Sequence, residues 1–419
     1  MRNIAFILMQ VLIFTLPWEG LIRLPGLGTG TRLFGFIVAG FWVVTIIITG
    51  QMRKPGLFQV MVPIFVIWNA ISIFWSADPG RTASQIVTWV QLLMLSLIFW
   101  DLYITRDKVM AGLQAYILGA YVAIGSAVSN YFSGTSFYTN YERFSAGDTN
   151  PDGFGFLVVL GIPLAWYLIT SKHNVKMKGI LRVLNYAYIP AAFVGLALSG
   201  TRTAMIASIV GMAYGLATLT RLRIWVRIAL FLILSLAILN LLPYVQSLPS
   251  FQRLGTTTSE LSGGDLNERT LLWSEGLDAF VESPLLGIGS NMYRSVNSLG
   301  KVAHNSFISV LVESGLIGFV LFGILLAIAF FRALGQPGWD AGFWLNILVV
   351  WAIGASTLTW EHRKTTWLFL SLIVASAAII AQTSKDDSPK RPVSVELGGA
   401  YSREQLMATG RLVREEYSE

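Results

Sequence analysis

The stretch Ser314-Gly-Leu-Ile-Gly-Phe-Val-Leu-Phe-Gly-Ile-Leu-Leu-Ala-Ile-Ala-Phe-Phe331 runs for eighteen residues without a charge or a proline. Such a run is long enough to cross the hydrocarbon core of a bilayer as a helix. Lipid cannot satisfy bare backbone polar groups, so a helix is the form it must take. Comparable runs recur along the whole chain. Of 419 residues only 13% are charged, against roughly 25% in a soluble domain, and the mean hydropathy is +0.62. A soluble protein is excluded before any motif is read.

Working outward, the pattern predicts an all-α, polytopic integral membrane protein of about twelve spans. They lie near residues 4–20, 33–50, 57–75, 85–103, 108–129, 153–170, 183–199, 203–220, 224–244, 305–331, 341–359 and 365–383. The first run lacks a small-residue cleavage site and reads as a retained span. Residues 1–383 form the transmembrane domain on this reading. Residues 384–419 form a polar cytoplasmic tail expected to be disordered. An even number of spans puts both termini on one side. With that side cytoplasmic, 19 of the 30 Lys and Arg fall inside and 11 outside, which agrees with the positive-inside rule. The net charge of +7 is then topological, and no nucleic-acid partner is implied.

Two outer segments are long: residues 130–153 and the large periplasmic loop, residues 245–304. Connections this long are usually functional or disordered. The second loop predicts an amphipathic helix over about residues 266–281. Asp265 and Glu268 resemble a capping box, and Ser283-Pro284 stops the helix. Such a helix suits the outer membrane face.

The absence of cysteine excludes disulfides and thiolate chemistry. His173, His304 and His362 are the only histidines, so neither a multi-His metal site nor a cofactor is expected. There is no GxxxxGK[ST] phosphate loop and no HExxH. Ionisable residues are nearly absent inside the spans, where transporters usually place some. They gather instead at the outer ends. Arg202, in the turn Ser199-Gly200-Thr201-Arg202, sits at headgroup depth, where a guanidinium fork suits a phosphate; it reads equally as a snorkelling arginine. Arg269 opens the loop helix and reads either as a phosphate ligand or as a solvated charge. Arg143 reads as a substrate contact or as a salt bridge to Glu142 or Asp148. His304, followed by Asn305, lies where the long loop re-enters the membrane; it can act as a base or cap the helix. His362 reads as part of an interfacial charge cluster, and Arg294 adds to the same cationic outer surface.

In order, five pieces resemble the bacterial O-antigen ligase and O-antigen polymerase superfamily. They are Trp75-Ser76-Ala77-Asp78-Pro79, Arg143 through Asn150-Pro151, Ser199 to Arg202, Arg269 to Trp273 with Pro284 to Gly289, and His304-Asn305 with Gly315 beyond. The likeness covers roughly residues 60–380. One departure is Leu316, where ligases often carry Ser or Thr after the glycine. The resemblance implies a metal-independent membrane glycosyltransferase of the bacterial inner membrane. Its donor would be an undecaprenyl-pyrophosphate-linked glycan at the periplasmic face. Its acceptor would be a second glycan for a polymerase, or lipid A–core for a ligase. Arg202 and Arg269 would hold the pyrophosphate, His304 would be the base, and Arg143, Asn305 and Arg294 would be further substrate contacts. Direct displacement at the anomeric carbon would invert its configuration. A flippase for lipid-linked glycans shares the spans and the cationic face, and is the alternative from another class.

Overall fold

The computed structural model describes residues 1–26, 28–138, 142–171, 179–229, a few positions between 231 and 239, and 268–386. It is an all-α polytopic membrane protein. Twelve helices matter to the argument. They are α1 (Arg2–Thr15), α2 (Gly30–Thr49), α3 (Leu57–Ile71), α4 (Pro79–Leu102), α5 (Arg106–Phe132), α6 (Pro151–Thr170), α7 (Gly179–Ser199) and α8 (Arg202–Thr218). After them come α9 (Arg269–Glu282), α10 (Ser306–Leu334), α11 (Gly338–Ala355) and α12 (Lys364–Asp386). Nine helical segments of the described residues are long and apolar enough to cross a membrane, and Arg2–Trp18 is a shorter one. A two-residue hairpin, β1 (Arg23–Leu24) with β2 (Gly28–Thr29), links α1 to α2.

Helices apolar on every side belong in the middle of a bundle. α6 is such a helix: 83% of its apolar window is buried, against 22% for α2. α6 packs on α5, α7, α8 and α11, and α2 lies outside against α1 and α4. Phe65 stacks on Trp367 at 6.3 Å, and Trp89 meets both edge-on at 5.2 and 6.3 Å, which joins α3, α4 and α12.

Most predicted spans match helices to within a few residues. The span expected at 341–359 ends early, at Ala355, and residues 356–363 form a turn instead. Much of the 224–244 span, the 245–267 part of the loop, Asp265 and the tail beyond 386 lie outside the described residues. The amphipathic helix exists as α9, but its first turn is not the expected capping box. Glu268 is the residue before the helix, with φ +62°, and makes no side-chain cap; its carboxylate pairs with Lys301. α9 exposes Leu271 and Val281 and packs its other side against α10. Leu272 is buried there, and the Tyr293 hydroxyl donates to its carbonyl at 2.8 Å.

The two poles of the bundle are held by different contacts. At one, buried Asp101 accepts from Arg2 (3.0 Å), the Arg53 backbone (2.8 Å) and the Trp42 indole (3.0 Å). Arg106 pairs with Asp340 there at 3.0 Å. The other pole collects the starts of α2, α6, α8, α9, α10 and α12.

α10 breaks at Gly315, whose φ of +64° and ψ of −172° leave the helix. The loop after α9 fills the break. Leu316 donates its N–H to the Pro284 carbonyl (2.8 Å), while Ile288 and Gly289 donate to the Val312 and Glu313 carbonyls (3.0 and 2.9 Å). The Glu313 carboxylate accepts the backbone N–H groups of Asn291 and Tyr293 at 2.7 and 3.1 Å. The freed backbone groups are therefore satisfied inside the protein, the condition for broken helices at membrane depth.

Candidate active site

A cavity of about 830 Å³ opens at the second pole. Four segments wall it: the stretch carrying Tyr138 and Arg143, the start of α6, the start of α9 with residues 294–304, and the turn between α11 and α12. Arg143, Arg269, Arg294, Lys301 and Arg363 line it, against two carboxylates, Asp152 and Glu268. His304 and His362 face it, and Tyr138 and Trp360 supply aromatic surface. The helix N-termini of α6 and α9 open on it, and such termini favour anions.

His304 is the most constrained of these residues. Its φ is +49°, a left-handed conformation uncommon for a residue with a Cβ. Three sets of contacts hold it. The His304 N–H donates to the Thr359 hydroxyl at 3.1 Å. Close by in the chain, the Ser306 hydroxyl donates to the Leu358 carbonyl (2.8 Å) and accepts from the Trp360 N–H (2.7 Å). On the other side, the Trp273 indole donates to the Ala303 carbonyl at 2.8 Å. The segment is thus zipped to the α11–α12 turn and pinned to α9. Strain held in this way clusters at functional positions.

The cap of α10 belongs to Asn305. Its side-chain oxygen accepts from the N–H groups of Phe307 and Ile308 at 2.9 and 3.2 Å. His304 is therefore not the capping residue. Burial first, and then the Arg269, Lys301 and Arg294 charges, push the imidazole below its ordinary pKa, with Asp152 opposing. Arg269 is itself lowered by burial, with Asp152 opposing.

Arg143 lines the cavity but is committed to structure. It is 5% exposed. Its Nε donates to the Ser199 carbonyl at 2.7 Å, and one terminal nitrogen reaches Asp152 at 2.5 Å and the Thr201 hydroxyl at 2.9 Å. The buried carboxylate partner of Arg143 is thus Asp152, while Asp148 pairs with Arg23 at 3.3 Å. Both Ser199 and Thr201 belong to the turn expected to hold phosphate, so that turn is anchored by Arg143. Arg202 itself, the first residue of α8, is not among the residues lining the cavity.

Asp152, Lys301, Trp360 and Arg363 join the cavity wall without having been expected there, and His362, expected only as interfacial charge, joins it too. His362 Nδ1 lies 3.2 Å from Glu361, whose carboxylate also accepts from the Ser309 hydroxyl at 2.9 Å. The sequence signal for this wall is the run Trp360-Glu361-His362-Arg363-Lys364, which only the fold turns toward His304. Among the described residues no group of three or more His, Asp or Glu is arranged to hold a metal.

Residues 187–323 match the O-antigen ligase family, a stretch that includes Arg202, Arg269, Arg294, His304 and Gly315. The chain is also 27% identical, over 294 residues, to the exopolysaccharide production protein ExoQ of Rhizobium meliloti (strain 1021). The aligned part is 64% of this chain and spans 64% of that relative's length. By its ordered motifs and these two similarities, the chain resembles the bacterial O-antigen ligases and polymerases.

Proposed function

We propose that the protein is an inner-membrane glycosyltransferase that extends a surface polysaccharide. The donor is an undecaprenyl-pyrophosphate-linked glycan, and the cavity faces the periplasm with both termini in the cytoplasm. The observation that carries this reading is the pairing of a strained, neutral-leaning His304 with Arg269 in one cationic cavity. His304 takes the proton of the attacking sugar hydroxyl. That oxygen displaces the pyrophosphate at the anomeric carbon from the opposite face, which inverts the centre. Arg269, with Arg294 and Lys301, meets the negative charge that develops on the leaving pyrophosphate. Arg202, which ends the anchored turn just outside the cavity lining, is the second pyrophosphate contact of this reading. Residues 1–383 carry the reaction and residues 384–419 are a tail outside it.

Arginines of this kind neutralise phosphate charge without a metal, so activity is expected to persist in excess chelator. The acceptor separates two versions. A second glycan makes the protein a polymerase, which Leu316 favours; lipid A–core makes it a ligase. The test is turnover by the purified protein given the lipid-pyrophosphate glycan and each acceptor separately. Arg269→Ala is expected to lose on the order of 100-fold in rate, with insertion unchanged. Near-normal transfer by Arg269→Ala would remove the cavity from the reaction. Movement of the lipid-linked glycan across the membrane without any new glycosidic bond would replace this reading with a flippase.

A further inference from the structure

Three more cavities lead away from the one just described. The first, about 240 Å³, shares Asn150, Gly153, Trp360 and Arg363 with it. The second, about 570 Å³, shares Glu19, Arg23 and Thr29 with the first and adds Arg32 and Lys364. The third, about 270 Å³, shares Lys364 with the second and is otherwise mostly apolar. Phe36, Val43, Val90 and Met94 wall it, between α2 and α4. Lys364 therefore stands where a polar chamber meets an apolar groove.

The charges at that junction favour an anion. Arg23, Arg32, Arg363 and Lys364 surround it with two carboxylates, Glu19 and Asp148. Glu19 accepts from Lys364 at 2.7 Å and lies 3.7 Å from Arg363. Burial works against its ionisation, but Lys364 and then Arg363 and Arg23 outweigh it and keep its pKa below the ordinary carboxylate value. Away from the junction, α2 lines the groove from Gly35 to Val43, a length of about 12 Å along a helix. Gly40 faces open space, with nothing within 4 Å of where a Cβ would stand. A glycine inside a helix costs stability, and here its effect is to leave room.

We propose that this groove seats a second polyisoprenyl-pyrophosphate-linked glycan, the acceptor, with its lipid between α2 and α4. The pyrophosphate sits among Arg23, Arg32 and Lys364, and the saccharide runs through the polar chambers to present its terminal hydroxyl near His304. The proposal rests on the reading of the His304 cavity as the transfer site, and it makes the protein a polymerase rather than a ligase.

The experiment is equilibrium binding of radiolabelled undecaprenyl pyrophosphate to the full chain in phosphatidylcholine nanodiscs. Two sites per chain are expected. Gly40→Trp, which fills the groove, leaves one; Arg269→Ala leaves the other; the double variant leaves none. Arg32→Gln, which does not touch the groove's packing, weakens the groove site at least about tenfold, and provides the same readout should Gly40→Trp fold poorly. One site in the native chain, or two sites retained in both Gly40→Trp and Arg32→Gln, overturns the proposal. Two sites retained in Arg269→Ala overturns the cavity reading and not the groove. Equal competition by phosphatidylglycerol would show a general anionic-lipid seat and overturn it. So would a site that inorganic pyrophosphate fills alone, indifferent to Gly40→Trp.

Discussion

Gly287 and Gly315 meet backbone to backbone. A Cβ on either would overlap the other's backbone nitrogen, and one on Gly315 would stand 2.5 Å from the Gly287 nitrogen. Both have positive φ, +72° and +64°, so an added side chain meets strain as well as contact. Through this contact the loop after α9 completes the broken α10. Either Gly→Ala variant is expected to destabilise the protein by about 1–3 kcal/mol, because backbone cannot swing aside as a flexible side chain can. Thermal unfolding in detergent measures it. Gly323, also in α10 but in open space, serves as the control, and Gly323→Ala should be near neutral. Equal melting of all three variants would mean that the junction is not rigid.

Arg143 and Asp152 form the second test. The pair is largely buried, and removing one partner leaves the other's charge uncompensated, at a cost of about 3–5 kcal/mol. Arg143→Ala should therefore lower stability and yield of folded protein, while whatever folds keeps donor binding. Arg143→Lys should rescue little, because one ammonium cannot reach the Ser199 carbonyl, the Thr201 hydroxyl and Asp152 as a fork does. A native melting temperature with donor binding lost would reverse the assignment and make Arg143 a substrate ligand.

The spans are legible because a membrane helix announces itself by length and by the absence of charge, whatever it packs against. His304 and Arg269 stand out in the sequence as ionisable residues near the membrane surface, and both line the cavity. What they face is not legible in the sequence. Asp148 is nearer to Arg143 in sequence than Asp152 is, and only the approach of α6 to the Ser199–Thr201 turn selects Asp152. The 360–364 run looks like ordinary headgroup charge until the hydrogen bonds from His304 and Ser306 pull its turn onto the cavity wall. Arg202 shows the converse. Its turn is where the motif suggests, but the Ser199 carbonyl and the Thr201 hydroxyl face Arg143.

The third prediction concerns pH. A base must be neutral to accept a proton, and the His304 pKa lies below the usual value of about 6.5, through burial and then the Arg269 charge. The acid limb of the rate profile should therefore lie below pH 6.5, with activity falling as pH drops through the lowered pKa. Arg269→Gln removes a repelling charge and should move that limb upward, toward the ordinary value, besides slowing transfer. The stability sign agrees: a histidine lowered in the folded state favours folding above its unfolded pKa, and that contribution fades as pH falls. Rate profiles of the native protein and Arg269→Gln over pH 5–8, corrected for unfolding, provide the check. An acid limb that stays fixed in Arg269→Gln would mean that another group titrates.

The last prediction separates His304 from Asn305, adjacent in the chain but assigned different tasks. Asn305 caps α10 through its side-chain oxygen, so Asn305→Ala should cost about 1 kcal/mol of stability. Asn305→Asp or Asn305→Ser should recover most of it, since both accept the same N–H groups. His304 makes no such cap, and its φ of +49° is one that Asn and Gly adopt more readily than most residues. His304→Asn is thus expected to fold at least as well as the native chain and to lose about 100- to 10,000-fold in turnover, with donor affinity largely kept. His304→Gly should behave the same way, because the backbone is relieved while the imidazole is gone. Stability and turnover then move independently: down and nearly unchanged for Asn305→Ala, unchanged and down for His304→Asn. Turnover by His304→Asn at the native rate would mean that the strained position serves only to shape the loop, and the base would have to be sought at His362, which lines the same cavity.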